Sequence, residues 1–193
     1  MIRGAAVLLA AAVAGCAAPG PAADSRTVTL RNAGFEADAP ATGCAPGWGC
    51  SSHSDPHAFR HEIDGSTSAE GKHSLRIERV REEPWTLVMQ NVIDPTLRGA
   101  RMRFTLAVRV EGVTGNGGGL MVLVYGSGGA TIHHDQKLSS GTADWKSMTI
   151  EFDVPVNAES FAVGAILEGP GKLWIDAARL EHLGATAPRK NLL

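Results

Sequence analysis

The strongest constraint on the fold is a segment in which apolar and polar side chains alternate strictly. Between residues 101 and 110 every second residue is apolar, and the residues between them are polar or small. A period of two places one set of side chains on each face of a β-strand, so this strand has one buried face and one solvent-facing face. The apolar set is Met102, Phe104, Leu106, Val108 and Val110, and the other set includes Arg103, Thr105, Ala107 and Arg109.

Similar segments recur along the chain and are separated by turn residues, among them the glycine-rich runs 114–119 and 126–129. No segment after residue 15 shows a sustained apolar stripe with the 3.6-residue period of a helix. The sequence therefore predicts an all-β jelly-roll sandwich of two antiparallel sheets over residues 26–183, with a loose tail over 184–193. The predicted strands are 26–30, 73–80, 86–93, 101–110, 120–125, 146–154, 161–167 and 172–180.

The N-terminus has the pattern of an export signal. Arg3 precedes a short apolar run, and small residues precede Cys16. This pattern is typical of a signal peptide over residues 1–15, whose apolar core is too short to cross a bilayer as a helix. The segment Val13-Ala14-Gly15-Cys16 resembles the bacterial lipobox, which implies cleavage before Cys16 and its acylation. The alternative is an ordinary signal peptide that is cut elsewhere.

If Cys16 is acylated, residues 16–25 form a flexible tether behind a lipid anchor. Ala17 follows the cysteine, and the sorting rule of that family then favours the outer membrane, with the domain facing the periplasm or the cell surface. The charge balance argues against one class of partner. The chain has 18 basic and 20 acidic side chains, which argues against nucleic acid as a partner.

Two further cysteines, Cys44 and Cys50, are separated by five residues that include Pro46 and Trp48. An exported protein meets an oxidising environment, which favours a disulfide between them. A zinc site is the weaker alternative, because no second cysteine pair is present. Trp48 either packs on one end of the sandwich or displays its ring as a platform for a sugar.

Short motifs recur in a familiar order across the domain. They are Asn32-Ala33-Gly34-Phe35-Glu36, Pro46-Gly47-Trp48, the run 71–77 leading into a strand, Gln90-Asn91-Val92, Asp144-Trp145-Lys146 and the run 173–180. In this order they resemble the galactose-binding-like jelly rolls that serve as carbohydrate-binding modules in xylan- and glucan-degrading systems. The resemblance implies a jelly-roll fold that binds a polysaccharide or oligosaccharide.

The resemblance also implies one structural calcium ion. Its ligands would be the carboxylates of Glu36 and Asp176 and the main-chain carbonyls of Asn32 and Lys72, which suit a hard cation. The alternative is that the two carboxylates cap turns or pair with Lys72 or Arg179 at the surface, which stabilises the fold little.

Modules of this kind bind sugars on the concave sheet or at the loop end. Two arginines in the predicted set favour an acidic saccharide, because a guanidinium forms paired hydrogen bonds with a carboxylate. The alternative is a plain solvated sheet face. The predicted ligand-binding residues are Trp85, Gln90, Arg103, Thr105, Arg109 and Tyr125.

The sequence contains neither a Gly-x-Ser-x-Gly nucleophile motif in a strand–helix context nor a His-Glu-x-x-His zinc motif. We therefore expect a non-catalytic carbohydrate-binding lipoprotein of the bacterial envelope, with a saccharide and the membrane as partners. One alternative is a structural lipoprotein that binds an envelope protein. A less favoured one is a jelly-roll polysaccharide lyase, with Tyr125 as base and arginines that neutralise a uronate.

Overall fold

The computed structural model describes residues 25–37 and 43–186, and almost all of this part of the chain is β-strand or turn. It contains no α-helix, only short 3₁₀ turns at Pro95–Leu97 and Ser127–Gly129. Within these residues, no helix has the length and apolarity needed to cross a bilayer. The strands are β1 (Arg26–Val28), β2 (Gly49–Ser52), β3 (Phe59–Asp64), β4 (Ser74–Arg79), β5 (Thr86–Val92), β6 (Ala100–Tyr125), β7 (Thr131–Asp153), β8 (Ser160–Glu168) and β9 (Lys172–Ala185).

Two long strands, β6 and β7, run through both layers of a sandwich. The second half of β6 pairs with β8 and with the first half of β7, and the order β2-β5-β8-β6-β7 makes one layer, which we call sheet I. The first half of β6 pairs with β9 and with the second half of β7, and the order β3-β4-β9-β6-β7 makes the other layer, sheet II. Strand β1 lies beside the end of β9. All pairings are antiparallel, and the predicted jelly-roll sandwich is confirmed.

Glycines allow β6 and β7 to bend from one sheet into the other. Gly112, Gly115 and Gly117 in β6 and Gly141 in β7 have positive φ values of 59°, 74°, 115° and 76°. The β6–β7 register shifts between Val108 and Gly118, as expected for bulges that bend a strand. The prediction that the run 114–119 separates two strands is therefore wrong. The chain does not reverse there, and both predicted strands are halves of β6.

The core fills the space between the sheets. The apolar set of the alternating segment is buried there, as predicted, with at most 1% of any member exposed. From β7 and β8, Phe152 and Phe161 meet edge to face with ring centroids 5.4 Å apart. Burial of each such side chain contributes about 1.5–3 kcal/mol. The two sheets therefore cohere through one continuous apolar interior.

Three strand segments were not predicted. β2 and the first half of β7 carry no clear alternation, whereas in β3 Phe59, His61 and Ile63 alternate with charged residues. At the C-terminal end, β9 continues two residues beyond the predicted domain end, and the Thr186 amide donates to the Gly99 carbonyl at 2.8 Å. The predicted signal peptide, Cys16 and the tether up to residue 24 lie outside the described residues, as does the predicted tail from residue 187.

The predicted disulfide between Cys44 and Cys50 is confirmed, with a Cα–Cα distance of 5.6 Å. Trp48 is buried inside this loop, where its ring lies 5.2 Å from that of Phe35. Its indole N–H donates to the Asn32 carbonyl at 3.1 Å. Trp48 therefore packs on the sandwich and does not display a platform to a ligand.

Candidate functional site

The side chains predicted to bind a ligand do not share one surface. Because β6 changes sheets near Gly112, the residues before and after this corner project from different layers. The expectation of a single site is therefore wrong. Arg103, Thr105 and Arg109 lie on the outer face of sheet II, Tyr125 lies on the outer face of sheet I, Gln90 points into the sandwich, and Trp85 precedes β5 in a loop.

Gln90 has a structural role. Its side chain is 5% exposed, and its amide forms hydrogen bonds with both the N–H and the carbonyl of Arg31. The Arg31 N–H donates to Oε1 at 2.8 Å, and Nε2 donates to the Arg31 carbonyl at 3.0 Å. Trp85 is half-buried and meets the ring of His53 edge to face at 5.7 Å. Neither side chain lies beside Tyr125 in the pocket described below.

The outer face of sheet II carries a ladder of paired charges. Arg103 donates to Glu151 at 2.7 Å and lies 3.6 Å from Glu181. The hydrogen bond to Glu151 raises the pKa of the Arg103 guanidinium and lowers the pKa of that carboxyl. Arg109 lies over the Trp174 ring at 4.7 Å. The arginines that favoured an acidic ligand are therefore already engaged within the protein.

The outer face of sheet I has the opposite character. Cross-strand partners in an antiparallel sheet project to the same side, so the registers define rows that cross the whole layer. We call the surface formed by three such rows the uncharged face, because none of its residues is Asp, Glu, Lys or Arg. The rows are Ser51–Leu87–Ile166–Gly119–Leu138, Gly49–Met89–Gly164–Met121–Gln136 and Asn91–Ala162–Leu123–His134.

Small residues at the centre of the uncharged face form a depression in the surface. A Cβ at Gly164 would lie 2.0 Å from the Val88 carbonyl oxygen and 2.9 Å from the Met89 sulfur. Met121 and Ile166 flank this floor and are 7% and 3% exposed, so they are packed among their neighbours. The result is a shallow apolar depression with main chain at its base.

A pocket of about 230 Å³ opens at one side of the uncharged face. Tyr125 stands at its end, and partial burial raises the pKa of the phenol. Asn91 and Ser51 supply polar groups, while Leu87 and Met89 supply apolar surface. An apolar depression with a few polar groups at its margin is the usual form of a small-molecule site.

The residues predicted to bind calcium do converge at one corner of the sandwich. A Cβ built on Gly34 would lie 3.7 Å from Cγ of Glu36 and 4.0 Å from Oδ1 of Asp176, which is fully buried. Burial raises the pKa of Asp176, and the nearby Glu36 carboxylate raises it further. Two adjacent carboxylates are hard anionic ligands of the kind that calcium prefers.

The oxygens at this corner already accept hydrogen bonds. Asp176 Oδ2 accepts from the amides of Ala69 and Glu70 at 2.8 and 2.9 Å, and Glu36 Oε1 accepts from those of Lys72 and His73 at 2.7 and 3.0 Å. The Asn32 carbonyl accepts from Trp48 Nε1 and the Phe35 amide. Across residues 25–37 and 43–186, no three His, Cys, Asp or Glu side chains gather as a metal site. The carboxylates fit calcium, whereas the Asn32 carbonyl is already used.

Several of the solved structures similar to this chain are carbohydrate-binding modules. The C-terminal family 22 module of Clostridium thermocellum Xyn10B is 16% identical, with a TM-score of 0.56 over 80% of this chain and 93% of that one. The CBM22-1 xylan-binding domain of Paenibacillus barcinonensis Xyn10C is 15% identical, with a TM-score of 0.56 over 79% and 93%. TmCBM61, solved with β-1,4-galactotriose, is 19% identical, with a TM-score of 0.53 over 78% and 95%. This likeness establishes a jelly roll of the kind these modules have.

Among curated proteins, one of the similar sequences is a Bacillus subtilis (strain 168) protein named as an uncharacterised HTH-type transcriptional regulator. It is 29% identical over 153 residues, which cover 76% of this chain and 51% of that protein. The chain thus spans about half the length of this relative. No family model matches the sequence.

Proposed function

We propose that the domain binds a neutral saccharide chain on the uncharged face without catalysis. The observation that carries this proposal is the set of three rows in register, two across five strands and one across four, that contains no formal charge. The fold supports it, because the similar structures include a xylan-binding domain and a module solved with a galactotriose.

The chemistry of the uncharged face suits a sugar ring. A pyranose presents C–H groups on its faces and hydroxyl groups around its edge. Leu87 and Met89 offer apolar surface to the ring faces, and methionine adapts its shape readily. Asn91, Ser51 and the Tyr125 hydroxyl offer hydrogen bonds at the margin. Since Tyr125 is the only aromatic residue that lines this pocket, we expect weak binding, with a dissociation constant on the order of 1 mM.

An acidic polymer is disfavoured on this face. Binding would remove water from a uronate carboxylate with no cationic side chain beside it, which is costly. The lyase hypothesis also loses support, because Tyr125 and the arginines assigned to it project from different sheets. DNA binding is not proposed either, since a helix-turn-helix needs two helices and residues 25–37 and 43–186 contain no α-helix.

Affinity electrophoresis tests the proposal directly. The domain without its predicted signal peptide, which we call the mature domain, is run through gels that contain xylan, β-1,4-galactan, a mixed-linkage β-glucan or polygalacturonate. We expect retardation by at least one neutral polymer and none by polygalacturonate. Equal mobility in every gel would refute saccharide binding, and specific capture of an envelope protein by the same domain would favour the protein-interaction alternative.

We further propose that the chain is a lipoprotein of the bacterial outer membrane, anchored through Cys16. The order of charge, apolar core and small residues before Cys16 supports this, and the disulfide is consistent with an oxidising compartment. Growth of expressing cells with an alkyne-tagged fatty acid tests it. We expect label on the native protein and none on Cys16→Ser, whereas label on both or on neither would contradict the anchor.

We also propose that calcium binds at the corner of Glu36 and Asp176. The support is the pair of neighbouring carboxylates, whose mutual repulsion a cation would relieve. Thermal unfolding in calcium and in EGTA is the test, with Glu36→Gln as the comparison. A saturable rise in Tm that Glu36→Gln reduces would support the site. An identical Tm in both buffers would exclude it.

A further inference from the structure

A second pocket, of about 200 Å³, lies on the outer face of sheet II, on the opposite side of the sandwich from the uncharged face. It is smaller than the usual range for drug-sized ligands, about 300–1,000 Å³. Its volume has room for a single sugar ring. The residues around it include Glu70, Thr105, Ala107, Trp145, Ala177 and Arg179.

The walls of this pocket are an indole and a fixed loop. Trp145 is half-buried, and its Nε1 donates to Thr67 Oγ1 at 3.0 Å, so the ring is held against the loop 67–70. That loop is held in turn by Asp176, whose Oδ2 accepts from the amides of Ala69 and Glu70. The pocket is therefore formed in advance, which reduces the entropy lost when a ligand binds.

Ala107 and Ala177 form the floor of this pocket, where β9 contains one residue more than the paired stretch of β6. Thr105 pairs with Arg179 and Ala107 pairs with Asp176, so β6 advances two residues while β9 advances three. Ala177 lies in this bulge with φ of 50°, a conformation that is uncommon outside glycine. Bulges often occur beside functional sites, and the two alanine methyl groups leave the depression open.

Polar groups surround the opening, and the two charges at its rim are paired with each other. Thr105 and Ser147 line one side, and the Thr105 hydroxyl shares a hydrogen bond with that of Thr149 at 3.0 Å. Arg179 hydrogen-bonds Glu70, and the side chains of this ion pair are each 57% exposed at the rim. Lys146 pairs with the inward-facing Val108, and its ammonium group donates to Ser139 at 2.9 Å, so this charge lies off the outer face. An indole wall beside hydroxyls and a neutralised ion pair suits a neutral polyhydroxylated ring.

We infer that this pocket binds one neutral pyranose unit, such as a chain end or a side branch. The domain would then have two saccharide sites on opposite faces, one for a chain and one for a single ring. The inference depends only on the residues around Trp145 and does not require the uncharged face to bind anything.

NMR of the indole N–H groups tests the inference in the mature domain. The resonance of Trp145 is assigned by its loss in Trp145→Phe. The probes are the methyl β-glycosides of xylose, glucose and galactose, with methyl β-D-glucuronide as the acidic comparison. We expect a saturable shift of the Trp145 resonance with at least one neutral glycoside at millimolar concentration, and no comparable shift with the glucuronide.

Two variants in the pocket, with a third on the other sheet as a control, test whether the glycoside binds beside Trp145. Ala107→Leu fills the floor and should abolish the shift, and Thr105→Val, which keeps the side-chain shape, should weaken binding at least threefold. Met89→Glu, on the other sheet, should leave the shift unchanged even if it abolishes polysaccharide binding. No shift at tens of millimolar glycoside, a shift that persists in Ala107→Leu, or a response to the glucuronide alone would overturn the inference.

Discussion

Arg103 and Tyr125 belong to the same strand, yet they project from opposite outer faces of the sandwich. The glycine corner between them transfers β6 from sheet II to sheet I. Around Arg103 the surface is a ladder of ion pairs, whereas around Tyr125 it carries no formal charge. One strand thus contributes to two surfaces of different chemistry, and the uncharged one is where we place the saccharide chain.

The corner in β6 can be tested by two matched glycine substitutions. Gly117 and Gly141 both have positive φ, so alanine at either position introduces backbone strain. A Cβ on Gly117 would also lie 2.9 Å from the Ser139 carbonyl oxygen, whereas a Cβ on Gly141 meets nothing within 4 Å. We expect Gly141→Ala to lower the free energy of unfolding by about 1 kcal/mol and Gly117→Ala to lower it by about 2–3 kcal/mol.

Urea unfolding of both variants measures these changes. Equal decreases in the free energy of unfolding would show that the neighbouring Ser139 carbonyl can move away from the new Cβ without destabilising the fold. A larger decrease for Gly141→Ala than for Gly117→Ala would contradict the described bend in β6.

Gln90 provides a test of two partly buried hydrogen bonds. Gln90→Leu keeps the approximate volume but leaves the amide and carbonyl of Arg31 without the partners they have in the native protein. Because each hydrogen bond contributes about 0.5–1.5 kcal/mol, we expect the free energy of unfolding to fall by about 1–3 kcal/mol. The neighbouring exposed residue provides a control, and Asn91→Ala should change stability by less than about 0.5 kcal/mol. Similar decreases in the free energy of unfolding for Gln90→Leu and Asn91→Ala would show that the hydrogen bonds between Gln90 and Arg31 do not stabilise the fold.

His61 should make the stability depend on pH. Its imidazole is buried beside Thr86, with Nε2 3.2 Å from Oγ1, and burial lowers the pKa of the ring from the usual 6.5. Between the folded and unfolded pKa values the unfolded chain binds more protons, so stability is complete above pH 6.5 and falls as the pH decreases below it.

The comparison variant for this pH dependence is His61→Gln. We expect the free energy of unfolding of the native protein to decrease more steeply than that of the variant between pH 7.5 and 5.5 (about 1.4 kcal/mol per pH unit is the limit for one group). Parallel curves would mean that His61 does not titrate differently in the folded state.

Alternation and turn residues were sufficient to predict the fold class, because a buried and an exposed face leave a period of two in segments such as 101–110. They were not sufficient to predict the corner in β6. A glycine-rich run looks the same whether the chain reverses or bends into a second sheet, and only the pairing of Gly118 with both Ser139 and Leu167 distinguishes the two.

The expectation that the predicted ligand-binding residues share one surface was wrong for the same reason. Thr105 and Tyr125 appeared to be neighbours on one face only because their strands were treated as separate members of one sheet. A sequence signal for the uncharged face does exist. From Gly117 to Tyr125 and from Ser160 to Gly164, two strands contain no charged residue, although 20% of the chain is charged. Burial on both faces of a strand is the more common cause of such a run, so the run alone does not identify a binding surface.

Isothermal titration with neutral β-1,4-linked oligosaccharides of xylose, glucose and galactose tests the central claim most directly. The native domain is compared with Met89→Glu, which places a charge on the uncharged face, and with Val80→Glu, which places the same charge at an exposed apolar position outside it. Our account predicts that Met89→Glu weakens binding at least tenfold, equivalent to about 1.4 kcal/mol, while Val80→Glu matches the native protein. Unchanged affinity in a folded Met89→Glu variant would contradict the placement of the saccharide on sheet I.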